Sequence, residues 1–313
     1  MKKIAVAQVA PILLDKEASI AKAVSLIEQA ANSGAQLLVL PECFIPGYPS
    51  WSWRLKPSAD MGCYNDIHAR LLENAVDVSA GDLSPLLQTA KDCGISLSIG
   101  FNEREGDFSR TTLFNSNALI SHEGKLLNLH RKLMPTNPER MIHGIGDARG
   151  LRVVDTPVGR VGVLICWESY MPLARYSLYA QGVDIYLAPT WDSSDVWQST
   201  LQHIAREGGC YVIGVASCIY GKDIPSNFPH REKIFPDESE CINLGNTSVY
   251  APGGKCISEP LGGEERLFYV DIDPTAAAKA RRSLDVAGHY SRSDIFQLEV
   301  IRKIFPPIQF HDD

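Results

Sequence analysis

Three side chains in this sequence have the chemistry to act together on an electrophilic carbon: the thiol of Cys166, the carboxylate of Glu42 and the amine of Lys132. Cys166 ends the apolar run Val161-Gly162-Val163-Leu164-Ile165, and Trp167-Glu168-Ser169-Tyr170-Met171-Pro172 follow it. The run reads as a buried strand. Pro172 suits the first turn of a helix, where its missing N–H costs nothing. A thiol at such a corner lies at the carboxyl end of a strand, where open α/β sheets place their sites. A nearby helix N-terminus can lower its pKa, so a setting that favours thiolate is expected. The bland alternative is a small buried hydrophobe, as most free cysteines are.

Glu42 follows the short apolar strand Gln36-Leu37-Leu38-Val39-Leu40, and Pro41 stops the ladder because it has no N–H to donate. Phe44, Ile45, Tyr48, Trp51 and Trp53 come next. A carboxylate among such residues is partly desolvated, which raises its pKa towards that of a useful general base. Read alone, it is equally a solvated loop acid. Lys132 closes the segment Lys125-Leu126-Leu127-Asn128-Leu129-His130-Arg131-Lys132. It is either a surface lysine, the default for its type, or a fixed cation that stabilises charge on a reacting atom. With acid, amine and thiol all at the ends of apolar segments, glutamate can take the base role that histidine fills in most cysteine hydrolases.

On these motifs the sequence resembles the nitrilase superfamily of carbon–nitrogen hydrolases, and within it the nitrilase branch. The resemblance runs from about Ile4 to about Arg292. It is carried by Leu40-Pro41-Glu42, by His130-Arg131-Lys132-Leu133-Met134-Pro135-Thr136 with Glu139-Arg140, and by Cys166-Trp167-Glu168. Trp191-Asp192, Trp197-Gln198-Ser199, the stretch from His203 to Gly209, and Gly288-His289-Tyr290-Ser291-Arg292 are also similar to that branch. The resemblance implies Glu42 as general base, Lys132 as catalytic lysine, Cys166 as nucleophile and Glu139 as the residue that positions lysine and base. It departs near Gly144-Ile145-Gly146-Asp147, where His143 stands in place of a usual tryptophan and Ala148 in place of a common glycine. Both departures bear on substrate preference or an intersubunit contact; His143 reads as a packing replacement.

The implied fold is α/β, a four-layer α-β-β-α sandwich, in one domain over 1–292 with a short C-terminal tail over 293–313. The implied reaction is hydrolysis of an organic nitrile to carboxylic acid and ammonia through a thioimidate and a thioester on Cys166. A backbone N–H at Trp167 would help Lys132 stabilise the tetrahedral charge. Amidase or carbamoylase chemistry on the same fold, and partial hydration of the nitrile to an amide, stay open, as does a non-catalytic binding role. Tyr48, Trp167 and Trp191 are candidates for the substrate-pocket wall, or plain aromatic core. The implied partner is a small nitrile, with no cofactor and no metal. A homodimer or larger homo-oligomer is implied, with the segment 171–179 facing the partner.

Composition fits these expectations. The chain has 313 residues, no linker-like or low-complexity stretch, and a net charge of -7, which argues against nucleic acid or an anionic membrane as partner. Met1-Lys2-Lys3-Ile4-Ala5-Val6-Ala7 imitates a signal peptide, but Gln8 and Pro11 break the apolar core, and a first strand is expected instead. The eight cysteines are scattered without a C-x-x-C pair, which favours reduced thiols and a cytoplasmic address. Hydrophobic periodicity predicts helices over 18–32, 60–76, 83–93, 173–181 and 196–207. Strands are predicted over 36–40, 95–101, 112–120, 151–155, 162–165, 185–188, 211–216, 247–250, 254–258 and 267–270. The polar stretch 220–243 reads as a long loop. The tail holds apolar Ile304-Phe305-Pro306-Pro307-Ile308 and acidic Asp312-Asp313, and packs on a partner or frays.

Overall fold

A computed structural model describes residues 1–259, 261–303 and 308. In chain order its elements are β1 (Lys2–Gln8), α1 (Lys16–Asn32), β2 (Leu37–Val39), α2 (Met61–Glu73), α3 (Ser84–Cys93), β3 (Ser96–Arg104), β4 (Leu113–Ile120) and β5 (Leu126–Arg131). Then come β6 (Val153–Thr156), β7 (Gly159–Val163), α4 (Pro172–Tyr179), β8 (Ile185–Thr190), α5 (Asp195–Gly208), β9 (Tyr211–Ala216) and β10 (Ile219–Tyr220). The last are α6 (Arg231–Ile234), β11 (Cys241–Asn243), β12 (Ser248–Tyr250), β13 (Arg266–Ile272) and α7 (Ala276–Arg281).

The strands form two large sheets. One has the order β13-β1-β2-β3-β4-β5 and the other β12-β9-β8-β7-β6, while β10 and β11 pair separately. In each, the central strands run parallel and the outer pairs antiparallel. Alternation along the strands sends side chains to opposite faces. Ile4, Val6, Leu37 and Val39 of the first sheet therefore meet Val161, Val163, Ile185, Leu187 and Ile213 of the second in one buried cluster. Their neighbours Ala5, Ala7 and Leu38 turn the other way, onto Ile20, Ala23 and Ile27 of α1 and Leu86 and Ala90 of α3. Leu164, Tyr186, Ala188 and Val212 do the same on the second sheet, against Leu178 of α4 and Trp197, Leu201 and Ile204 of α5. Strands buried on both faces and helices with one apolar stripe give the layers α-β-β-α.

Two readings of the chain are corrected. The stretch 220–243 is not an open loop: it holds the short elements β10, α6 and β11, and buries Ile224, Phe228, Ile234 and Phe235 against Trp51, Tyr64 and Ile67. These pieces are too short to show a period. The segment 254–258 makes no strand, only an isolated bridge between Tyr250 and Cys256. Gly253 and Gly254, at φ 101° and 94°, turn the chain there. The helix α7 falls in a segment where no helix was expected. Of the tail, 304–307 and 309–313 lie outside the described residues. No helix among the described residues is long and apolar enough to cross a membrane.

Candidate active site

The site forms where the strands of both sheets end. β2 has only three residues, but β3 beside it has nine, so the chain leaving β2 continues along β3. Leu40 N–H donates to Ser98 O at 2.9 Å, Ile45 N–H to Gly100 O at 3.2 Å, and Asn102 N–H to Ile45 O at 2.7 Å. The bend between them carries Glu42. It lies so close over β3 that a Cβ on Gly100 would meet the backbone of Pro41, Glu42 and Cys43. Only glycine permits that approach.

Two strand neighbours then fix the charges. Asn115 on β4 donates from Nδ2 to Glu42 Oε1 at 2.7 Å, and its carbonyl accepts the Lys132 N–H at 2.7 Å. Lys132, one residue past β5, donates from Nζ to Glu42 Oε1 at 2.8 Å and to Glu139 Oε1 and Oε2 at 3.0 and 2.9 Å. Glu139 lies in a 3-10 turn (Asn137–Met141), where its Oε2 also accepts the Thr136 N–H at 3.0 Å and its Oε1 the Tyr48 hydroxyl at 2.6 Å. Both oxygens of Glu139 are thus bonded, whereas Glu42 Oε2 is buried without any partner. A buried, unpaired carboxylate oxygen is costly unless something else uses it.

Cys166 stands three residues beyond the end of β7, at the head of a 3-10 turn (Cys166–Tyr170) that leads into α4, with Pro172 at its start as expected. Its φ is 53°, a left-handed conformation that a residue with a Cβ adopts only when its surroundings impose it. Glu168 imposes it. Its Oε2 accepts the Ile165 N–H at 2.6 Å, its Oε1 the Leu133 N–H at 2.6 Å, and His130 Nε2 lies 2.9 Å from Oε2. One buried carboxylate therefore ties the cysteine corner to the segment carrying Lys132. Thr190 at the end of β8 donates its hydroxyl to Cys166 Sγ at 3.2 Å.

Burial sets the proton equilibria. It raises the Glu42 carboxyl above its usual range, although Lys132 opposes the shift. Burial pulls Lys132 down, but Glu42, Cys166 and Glu139 outweigh it and hold the ammonium well above its ordinary value. Burial and then the Glu42 charge push the Cys166 thiol up to about 12. This corrects the expectation of a setting that favours thiolate: the neighbouring carboxylates and the lack of solvent override any turn dipole.

Cys166 and Glu139 line a cavity of about 450 Å³, and the bonded pair Glu42–Lys132 is fully buried. Tyr48 and Trp191 stack on one side of it, ring centroids 4.4 Å apart and planes 9° apart. Trp167 and Trp53 form its outer edge, and Trp53 Nε1–H donates to the Tyr48 hydroxyl at 3.2 Å. All seven site residues expected from the sequence, Glu42, Lys132, Glu139, Cys166, Tyr48, Trp167 and Trp191, thus fall in one place. Tyr48, Trp167 and Trp191 line the cavity and are not plain core.

A family model described as carbon-nitrogen hydrolase matches residues 3–282. The chain belongs to the carbon–nitrogen hydrolase family, in its nitrilase branch. It is 37% identical to a bifunctional nitrilase/nitrile hydratase of Nicotiana tabacum, over 97% of this chain and 87% of that protein. It is also 37% identical to an aliphatic nitrilase of Sinorhizobium fredii, over 95% and 94% of the two chains. The fold matches a carbon-nitrogen hydrolase from Helicobacter pylori with a TM-score of 0.71 at 19% identity, over 94% and 96% of the two chains. An amidase from Nesterenkonia sp. matches with a TM-score of 0.65 at 22% identity, over 90% and 94% of the two chains.

Sequence reasoning missed Asn115, Thr190, the His130–Glu168 pair and Asn102. Asn102 Nδ2 donates to the carbonyls of Ile45 and Gly47 at 3.3 and 2.9 Å, and His143 Nε2 bonds its Oδ1 at 2.8 Å. A signal was present for some of them: Asn102 and Asn115 are buried amides on strands, and a buried amide must have partners.

Proposed function

We propose that the protein hydrolyses an organic nitrile to the carboxylic acid and ammonia, with Cys166 as nucleophile, Glu42 as general base, Lys132 as fixed cation and Glu139 as the residue that positions Lys132. The observation that carries the reading is the division of labour at Glu42: Lys132 and Asn115 occupy Oε1, while Oε2 is unpaired and free to take a proton. Cys166 Sγ attacks the nitrile carbon as its proton passes to Glu42 and on to nitrogen, giving a thioimidate. Water adds to that carbon with Glu42 as base. The tetrahedral carbon expels ammonia, leaving a thioester, and a second water releases the acid and restores the thiol. Lys132 and the Trp167 backbone N–H stabilise the negative charge of these steps. If the tetrahedral carbon expels sulfur instead, the product is the amide; the bifunctional relatives favour this as a second outlet. Tyr48, Trp167 and Trp191 form the substrate wall. Nothing in the side-chain chemistry calls for a cofactor.

The same reading makes residues 1–292 one domain and the working form a homodimer or larger homo-oligomer. Leu173 of α4 is 67% exposed beside exposed Tyr290, Ile295 and Phe296, a groove of apolar side chains that a second copy would cover. Eight free cysteines suit a cytoplasmic address.

The test is product analysis on a panel of nitriles and the matching amides, scoring ammonia, acid and amide, with Cys166→Ala beside the wild type. Acid and ammonia from nitriles, in the wild type only, are expected. Inert nitriles with cleaved amides would instead establish the amidase reading.

A further inference from the structure

The cavity has a charge character that goes beyond the reaction. Among the ten side chains that line it, four are aromatic (Tyr48, Trp53, Trp167, Trp191), two are acids (Glu139, Asp192) and none is Lys, Arg or His. Lys132 is not part of this wall: its ammonium is fully buried and bonded to Glu42 and to both oxygens of Glu139. Asp192 is held at the outer part of the cavity. Its Oδ2 accepts the Trp167 Nε1–H at 2.8 Å and its Oδ1 the Ser194 N–H at 2.9 Å. The cavity wall thus carries two carboxylates, Glu139 and Asp192, and no cationic side chain.

A substrate carboxylate entering this cavity would lose its water, meet no cationic partner and face like charge. A flat neutral group can lie on the ring faces, and a cation is attracted both to those faces and to Asp192. We propose that the site selects nitriles by charge, accepting uncharged or cationic nitriles with a flat face and rejecting those that carry a carboxylate, with Asp192 as the selecting residue. The proposal rests on reading this cavity as the nitrile site.

The experiment compares three para-substituted benzonitriles of similar shape: 4-methyl, 4-aminomethyl and 4-carboxylate. The carboxylate is expected to show kcat/KM at least about tenfold below the methyl compound, mainly through KM, with the aminomethyl compound at or above it. Asp192→Asn, which can still accept from Trp167, should narrow the gap for the anion and weaken the preference for the cation. The same three compounds are titrated against Cys166→Ala by tryptophan fluorescence, so that charge preference is read in binding even if none is turned over. A carboxylate bound or turned over as well as the methyl compound overturns the proposal. So does a gap that Asp192→Asn leaves unchanged, or an absence of binding by all three. If nitriles bind with the expected ranking but only the matching amides are cleaved, the nitrilase reading fails and charge selection stands.

Discussion

The neutral thiol of Cys166 has a direct kinetic consequence. With its pKa pushed up to about 12, it holds its proton at neutral pH, so in the proposed mechanism the nucleophile forms only as Glu42 takes that proton. Alkylation of Cys166 by iodoacetamide should therefore follow the ionisation of Glu42, which burial raises above the usual carboxylate range, and show no midpoint at the ordinary thiol pKa of about 8.5. Glu42→Gln should slow alkylation by about a hundredfold or more. A wild-type profile that rises through pH 8–9 would contradict this assignment. Lys132 serves stability as well as charge. In Lys132→Met, Glu42 and Glu139 would face each other, buried and without a cation, at a cost of about 3–5 kcal/mol. Their carboxyls would then titrate above the unfolded value. The folded variant would bind more protons than the unfolded chain, so its stability would be retained at low pH and lost as pH rises through the raised pKa. Melting temperatures between pH 5 and 8 should show the gap to wild type widening with pH.

The bend from Glu42 to Tyr48 is one element held by another. Asn102 on β3 spends its amide N–H groups on Ile45 O and Gly47 O, so its Oδ1 must accept from His143 Nε2. That fixes the Nε2–H tautomer of His143, and the backbone N–H of the same residue donates to Glu139 O at 2.7 Å. The residue that departs from the usual pattern thus joins the bend carrying Glu42 to the turn carrying Glu139. His143→Leu should leave Asn102 Oδ1 buried and unpaired, cost about 1–3 kcal/mol, and lower kcat/KM about tenfold. His143→Gln, which can return the donor, should recover most of it. Burial lowers the His143 pKa to about 4 from 6.5. Its contribution to stability is therefore complete above pH 6.5 and is lost as pH falls towards 4, a slope that His143→Leu should lack. Gly100→Ala should be more severe than either, because its Cβ collides with backbone under Glu42 and has no flexible side chain to displace.

At the scale of the whole molecule, α4 links the candidate site to the outside. Only Met171 separates its first residue from the turn that Cys166 opens, and its exposed Leu173 lies in the apolar groove with Tyr290 and Phe296. Leu173→Arg should reduce the proposed homo-oligomer, measured by light scattering. Because α4 is continuous with the cysteine turn, activity should fall with it, and concentrated protein should recover both.

Most elements were legible because their cause is local: period-2 and period-3.6 burial is written directly in the residue order, whereas the four layers were implied by the family resemblance and not by the pattern. Pro172 opening α4 and Gly94 closing α3 are further cases, each set by its own backbone chemistry. The short pieces β10, α6 and β11 were not, because elements of two to four residues show no period and exist only where Ile224, Phe228 and Phe235 find a surface to pack on. The types of the reacting groups were equally readable, since thiol, carboxylate and amine each stand at the end of an apolar segment. Their protonation was not. Whether Cys166 carries its proton depends on burial and on Glu42, 124 positions away in the chain, and no local signal reports that field. The same holds for Asn115, Thr190 and Asn102, whose partners are brought together by strand register. The sequence by itself determined which chemistry is possible and which segments could carry it, because side-chain type and local periodicity belong to each residue. Only the tertiary structure decided which oxygen of Glu42 is free, where the proton rests and what charge the cavity presents, because those depend on distances between residues that the chain order leaves unspecified.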